Sequence, residues 1–299
     1  MTLTDRSLDH ANGHGRQAVP ALSPPTFRQP PTAAAPDTYL IHEVQHALGA
    51  PLSVYINSAV IQAEQPILVD TGSARNRQGW VEDAFSLVEP QDVRWVFVSH
   101  EDHDHTGNLA QVMHMCPQAT LVASWAMTER FANAFEFPLA RCRWLNDGDS
   151  FEAGDRDMVL VRPPAYDSPT TRGLLDTKTG VYWAVDLFAT PVPGGEHAQE
   201  LAGCVDQLDA EFWAGAMAMF ALGGLSPWLT LVDPARFAAE VQRFADQPIS
   251  TIISAHSPLI SGPKVAEALR LAERWPTAEC PPTPDQAALD IILAATTAA

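Results

Sequence analysis

Residues Val98 to Gly107 read Val-Ser-His-Glu-Asp-His-Asp-His-Thr-Gly, so three histidines and two aspartates fall within positions 100–105, directly behind the apolar stretch Trp95–Val98. In a plain loop such side chains solvate apart. Around a cation they become mutually compatible, because histidine offers a neutral nitrogen and aspartate a hard anionic oxygen. The run is therefore expected to be a metal-binding loop at the end of a buried strand, and this restricts the fold to one that presents loops at strand ends.

At 299 residues the chain is long enough for a single catalytic-sized domain, and an apolar fraction of 46% is ordinary for a globular protein with a sizeable core. Acidic residues outnumber basic ones 36 to 18, giving a formal net charge of −18. That balance argues against nucleic acid and against anionic membrane surfaces as partners. Cys116, Cys142, Cys204 and Cys280 form no Cys-x-x-Cys pair, so neither a zinc knuckle, an iron-sulfur site nor a disulfide framework is expected. No apolar run reaches membrane-spanning length and no signal pattern opens the chain, so the expected location is cytoplasmic.

Residues 1–36 are rich in Pro, Ala, Ser, Gly and Gln without a sustained hydrophobic period and read as a disordered tail, leaving 37–299 as one domain with a C-terminal helical extension. Strand-like runs follow at Tyr39–Ile41, Ser53–Ile61, Pro66–Val69, Val93–Val98, Thr120–Ala123, Met158–Val161, Gly180–Val185 and Ile249–Ile253. Helical spacing appears over Gly79–Val88, from Gly107 through Met113, from the Asp233-Pro234 cap through Phe244, and over Pro263–Trp275. Strands and helices alternate, with both faces of the sheet covered, so the class is α/β. Between Thr190 and Leu231 lies a stripe of Phe212, Trp213, Met217, Met219 and Phe220. Such a stripe is read as core or as a subunit contact, which makes a homodimer reasonable.

Acidic and histidine positions recur at strand ends: Asp70-Thr71-Gly72, the frame His100, Asp104 and His105, then Asp186 and His256, each behind an apolar run. Together these motifs resemble the metallo-β-lactamase fold over roughly Tyr39 to Trp275. The resemblance implies an αββα sandwich with metal ligands on loops at one edge of two facing sheets. In the hydrolytic members a histidine stands two residues after the first one and another stands in a Pro-x-His-Ser-Pro-like segment. Here those positions are Asp102 and Asp167. An acidic residue at the first is the mark of the branch holding the oxygen-binding di-iron proteins and the β-lactamase-like half of the flavodiiron proteins. Those relatives commonly carry glutamate there and keep the second histidine, although a carboxylate at the second position is known in a di-iron oxygenase of this fold.

Carried over residue by residue, the resemblance implies one metal on His100, Asp102 and Asp167, another on Asp104, His105 and His256, and Asp186 bridging both. Four carboxylates and three imidazoles favour iron, with manganese and zinc as alternatives. Asp104, Tyr166 and His103 are the candidates for direct participation in chemistry: Tyr166 as a hydrogen-bond donor to a bound oxygen species, His103 as an outer or substrate-facing group. Asp70 is expected to orient a ligand or cap the loop, and His46 resembles a pocket histidine of flavodiiron relatives by its spacing from Asn57. The implied function is a non-haem di-iron protein that binds and activates or reduces dioxygen or nitric oxide. With no flavodoxin-like unit in the sequence, electrons are expected from a separate electron-transfer protein or from a small-molecule substrate. The alternatives are a metal-dependent hydrolase of an ester, thioester, lactone or phosphoester, and a non-enzymatic oxygen sensor whose metal state alters the Thr190–Leu231 segment.

Overall fold

Strand-end loops can converge on one centre only if the strands that deliver them run the same way, and the sheet topology meets that condition. In this computed structural model residues 26–47, 50–131, 138–194, 201–279, 282 and 284–297 are described. The first sheet has the order β1 (Thr26–Ala35), β2 (Thr38–His46), β3 (Leu52–Ile61), β4 (Ile67–Val69), β5 (Trp95–Phe97), β6 (Thr120–Ala123), β7 (Cys142–Trp144). Its first four strands are antiparallel and its last four parallel. The second contains β8 (Ser150–Glu152), β9 (Asp157–Val161), β10 (Gly173–Asp176) and β11 (Val181–Trp183). A two-residue β12 (Val192–Pro193) pairs back onto β3, while β13 (Thr251–Ile253) runs parallel to β11 and antiparallel to β14 (Ile260–Ser261). β4 and β5 thus end at one edge of the first sheet, and β9, β11 and β13 at one edge of the second.

Side-chain alternation explains why the strands read as continuous apolar runs. On β5, Phe97 enters the core between the sheets, whereas Val96 faces the helices outside. On β11, Val181 and Trp183 join that same core, and Tyr182 turns out to meet Phe244 edge-on at 4.9 Å. Outside the first sheet lie α1 (Arg77–Ala84), the short α2 (His103–Thr106), α3 (Leu109–Met115) and α4 (Trp125–Phe131). Outside the second lie α5 (Ala210–Phe220), α6 (Pro234–Ala245) and α7 (Pro263–Ala272). This is the αββα sandwich. Asp233 caps α6 as expected, its Oδ1 accepting from Arg236 N at 2.9 Å ahead of Pro234. The stripe on α5 divides, with Trp213 and Met217 buried in the core, Phe212 and Phe220 half-buried and Met219 exposed. A second unit holds α8 (Gln286–Thr297), whose first turn is capped by Asp285 accepting from Ala287 N and Ala288 N. Among the described residues no helix is long and apolar enough to cross a membrane.

The tail boundary at 36 needs correction. Residues 1–25 lie outside the described residues, but Thr26–Ala35 forms β1. Its sequence hides this, because Pro30-Pro31 lacks two backbone donors and the register shifts between Gln29 and Thr32, as an edge strand tolerates. Pairing with β2 and the Arg28 guanidinium, which donates to Glu82 at 2.7 Å and to the buried Asp83 of α1, hold it in place. The histidine-rich run is likewise only partly a loop: positions 103–106 are helix α2, tucked under the turn after β4.

That tuck depends on Gly107, whose N–H donates to Gly72 O at 3.0 Å. A Cβ there would come within 2.7 Å of Gly72 O and of His103 O and closer still to Ala74 N, all backbone atoms that cannot swing aside. Gly107→Ala is therefore expected to destabilise by about 1–3 kcal/mol through overpacking, read as a lowered denaturant midpoint. A shift below about 0.5 kcal/mol, typical of neutral surface changes, would show that the backbone relaxes freely.

Candidate metal centre

Five loops meet at the shared edge. Past β11 the chain turns sharply: Val185 takes φ +59°, a costly conformation for a β-branched residue. Ala255 N donates to Val185 O (2.7 Å) and Thr190 N to His256 O (2.8 Å), so the turns carrying Asp186 and His256 run side by side. Asn57 on β3 braces the second turn, donating through Nδ2 to Ser254 O and Ser257 O. His42 supports Asn57 in turn, at 2.8 Å between Nδ1 and Oδ1.

Two groups of side chains result. His100 Nε2 lies 3.4 Å from Asp102 Oδ2, 3.6 Å from Asp167 Oδ2 and 3.5 Å from Asp186 Oδ2. On the other side His105 Nε2 lies 3.6 Å from Asp104 Oδ2, and His256 Nε2 lies 3.2 Å from the same oxygen. Asp186 Oδ1 faces both of these imidazoles, at 3.0 Å and 3.3 Å. One oxygen of Asp186 thus faces each group. The ligand-type atoms of His100, Asp102 and Asp167, and those of Asp104, His105 and His256, each lie within 4.8 Å of one another.

A cation suits this arrangement on its own physical terms. His100 Nε2, His105 Nε2 and Asp186 Oδ1 are buried atoms without hydrogen-bond partners, a costly condition that metal coordination relieves. The outer nitrogens are already oriented. His256 Nδ1 donates to Tyr55 O at 2.7 Å, and His105 Nδ1 donates to Asp70 Oδ2 at 2.8 Å, leaving both Nε2 atoms aimed inward. Asp70 is fixed by Ser99 N, Ser99 Oγ and Trp183 Nε1, so it orients His105 and is absent from the ligand groups. His100 is less firmly held, with a 3.4 Å contact from Nδ1 to Ser99 Oγ.

The charges are strongly coupled. Burial disfavours the imidazolium of His256, but attraction to Asp186 and Asp104 outweighs it and pushes the group up to about 10. His105 is raised for the same reason, against complete burial, by Asp186, Asp104 and Asp70. Asp186 would be pushed up by burial, yet His105 and His256 hold it well below the usual carboxylate range. Asp167 moves the opposite way, raised by burial and by repulsion from Asp186.

All seven residues read from sequence as metal-binding are brought together. The other chemical candidates are not. His103, on the first turn of α2, is exposed and belongs to neither group. The Tyr166 ring packs 5.4 Å from Trp228 and beneath the Arg162 guanidinium at 5.2 Å, in a groove on the α6 side lined by none of the seven. His46, which resembles a pocket histidine by its spacing, is buried against Ser53 Oγ at 2.8 Å and belongs to neither group. Two contributors were missed. Phe220 at the end of α5 stacks on His256 with ring centroids 6.1 Å apart. Glu101, between two candidate ligands, binds Ser168 Oγ at 3.1 Å, Thr170 Oγ1 and the Arg130 guanidinium. No spacing in the sequence points to these partners.

Comparison with known proteins bears on the family and the fold. A family model described as ODP family beta lactamase matches residues 54–220. The chain is 29% identical over 133 residues to diflavin flavoprotein A 1 of Synechocystis sp. PCC 6803, covering 44% of this chain and 23% of that relative. An anaerobic nitric oxide reductase flavorubredoxin of Vibrio vulnificus is 23% identical over 133 residues, 27% of its length. The chain thus matches about a quarter of each of these curated relatives. In structure it is similar to the rubredoxin oxygen:oxidoreductase of Desulfovibrio gigas, with a TM-score of 0.70 and 16% identity over 85% of this chain and 62% of that one.

Two outcomes follow. Asp186→Ala is expected to abolish binding of both metals, whereas Asp102→Ala depletes mainly one, as read by elemental analysis; equal metal content in Asp102→Ala and wild type would remove Asp102 from the ligand set. Because metal must displace protons from His105 and His256, affinity at their half should rise with pH across the neutral range, about tenfold per pH unit for each proton released, flattening near 10. In the metal-free protein the sign is opposite: the charged His256 contributes stability fully below its ordinary value of 6.5, lost as pH rises through about 10. Calorimetric titrations in buffers of different ionisation enthalpy measure the proton release, and a pH-independent affinity would contradict the charge assignment.

Proposed function

This chain belongs to the family described as ODP family beta lactamase, and from that membership we propose that it is a binuclear non-haem iron oxidoreductase that binds and reduces, or activates, dioxygen or nitric oxide. The observation that carries the reading is the donor set, with Asp102, Asp104 and Asp167 around three imidazoles and Asp186 turning one oxygen to each side. Four carboxylates make a hard, anionic surrounding that suits iron or manganese better than a histidine-rich site would. Bound there as a ferrous pair, iron would supply the electrons and Lewis acidity for reduction of a diatomic molecule.

The protein's own contribution is positional. Asp186 sits between the two groups, while Asp70 and Tyr55 O fix the rings of His105 and His256. Phe220 covers His256 with an apolar ring. Asp102 is the most accessible member, its side chain 57% exposed against 30% for Asp104 and 24% for Asp167, so a small molecule is expected to approach past Asp102. Electrons would be supplied to the metals by a partner protein or by a substrate as it is oxidised. The names of the relatives, a nitric oxide reductase and an oxygen:oxidoreductase, support an oxidoreductase role.

One observation favours a second reading as an oxygen sensor. Phe220 lies within the segment Thr190–Leu231, so that segment touches His256 directly. Protein purified without air should hold about two irons per chain, the stoichiometry of a two-metal site, and develop near-ultraviolet charge-transfer absorption in air. Sustained oxygen consumption with an artificial reductant marks a reductase, and reversible uptake alone marks a sensor. Stoichiometric zinc with ester or phosphodiester turnover would contradict both and favour hydrolysis.

A further inference from the structure

The two halves of the centre are supported differently. Around Asp104, His105 and His256 the outer imidazole nitrogens are tied to Asp70 and Tyr55 O at 2.8 and 2.7 Å, with the His105 ring buried and the His256 side chain 11% exposed. Around His100, Asp102 and Asp167 such ties are weak. His100 Nδ1 has the 3.4 Å contact with Ser99, Asp102 N-caps α2 without a side-chain capping bond, and Asp167 stands on an irregular loop between β9 and β10. Two carboxylates on separate, partly exposed loops repel one another and lose rotamer freedom when ordered, so something must hold the loops in register.

The Glu101 carboxylate spans that gap. Oε1 accepts from Ser168 Oγ at 3.1 Å, and Oε2 accepts from Thr170 Oγ1. Ser168 Oγ and Thr170 Oγ1 also lie 2.7 Å apart, so two hydroxyl protons are shared among three oxygen contacts and the carboxylate closes a three-membered polar cluster. Arg130 of α4 neutralises the charge through Nη1. Glu101 is one residue from His100 and from Asp102, and Ser168 is one residue from Asp167. A parallel backbone tie, Arg172 N donating to Ser99 O at 2.9 Å, sets the base of the same junction. Within the loop, Thr171 Oγ1 donates to Asp167 Oδ1 at 3.3 Å, leaving Oδ2 toward His100.

We infer that Glu101 is a positioning residue for the binuclear centre: by bridging the His100–Asp102 turn to the Asp167 loop it determines whether the more exposed half holds its metal. The inference rests on the binuclear reading above and goes beyond it, because it makes the halves separable, one organised by buried partners of its imidazoles and one by a carboxylate bridge between loops. Removing the bridge should weaken one metal and spare the other.

The test uses the full-length chain, loaded anaerobically with ferrous ion and freed of excess, with metal content and chelator-induced release followed for wild type and variants. Glu101→Ala is expected to retain about one iron per chain, the loss confined to the half not held by Asp104, His105 and His256, with the faster release phase accelerated at least about tenfold, within the range seen for loss of groups that orient ligands. Glu101→Gln, which keeps a polar bridge of the same length, should restore part of the second metal. Ser168→Ala/Thr170→Val cuts the same contacts from the other loop and should reproduce Glu101→Ala, so a misfolded single variant cannot decide the matter. A merely structural role would lower the unfolding midpoint of the metal-free protein in all variants without separating the two release phases. Two irons released at wild-type rates from both Glu101→Ala and the double variant, or equal loss of both irons in each, would overturn the inference while leaving the binuclear reading intact. A wild type that takes up no metal pair would overturn both.

Discussion

A carboxylate buried between three imidazole nitrogens, 3.0, 3.3 and 3.5 Å away, is stable in a protein interior only if positive charge shares its cavity. In Asp186 that charge can come from protons on His105 and His256 or from cations, and the two solutions compete for the same atoms. The surrounding architecture prepares for either: strained backbone at Val185, Asn57 bracing the neighbouring turn, Asp70 and Tyr55 O holding imidazoles from behind. Proton occupancy accounts for the raised His256 and the depressed Asp186. Cation occupancy would give a partner to the buried Nε2 atoms of His100 and His105 and to Asp186 Oδ1, none of which has a well-aligned hydrogen bond.

The centre is asymmetric because its two sides are built from different parts of the sandwich. On one side the imidazoles of His105 and His256 are held from behind by Asp70 and Tyr55 O, so the geometry of those two rings is inherited from the sheets. The other, with Asp102 and Asp167, hangs on loops and depends on contacts made outside the sheets. Carboxylates where hydrolytic members of the fold carry histidine therefore alter more than ligand hardness. They place negative charge on the accessible side and require a bridge to hold it there.

The sequence made strand ends legible because residues buried on both faces leave continuous apolar runs, and polar side chains that follow such runs must sit at the sheet edge. Asp70, His100, Asp186 and His256 were readable in this way. The pairing of Asp102 with Asp167 came from the family resemblance. β1 was not legible, since Thr26–Ala35 carries two prolines and no apolar period, and its place comes from pairing with β2 and the Arg28 contact with α1. Helix α2 escaped because four residues give no period. Tyr166 was credited with a role through its adjacency to Asp167, but its ring is engaged by Trp228 and Arg162. Glu101 was passed over because its partners lie 67 and 69 positions away, and only the fold brings them together.

The central claim is that Asp186 joins two metals in one centre. X-ray absorption at the iron edge of anaerobically prepared protein tests it directly. The account predicts an oxygen- and nitrogen-rich coordination shell and a second iron at about 3.5–4 Å, the spacing of two-metal sites, with the iron–iron feature lost in Asp186→Ala. An isolated iron without a metal neighbour, or a shell containing sulfur, would contradict it.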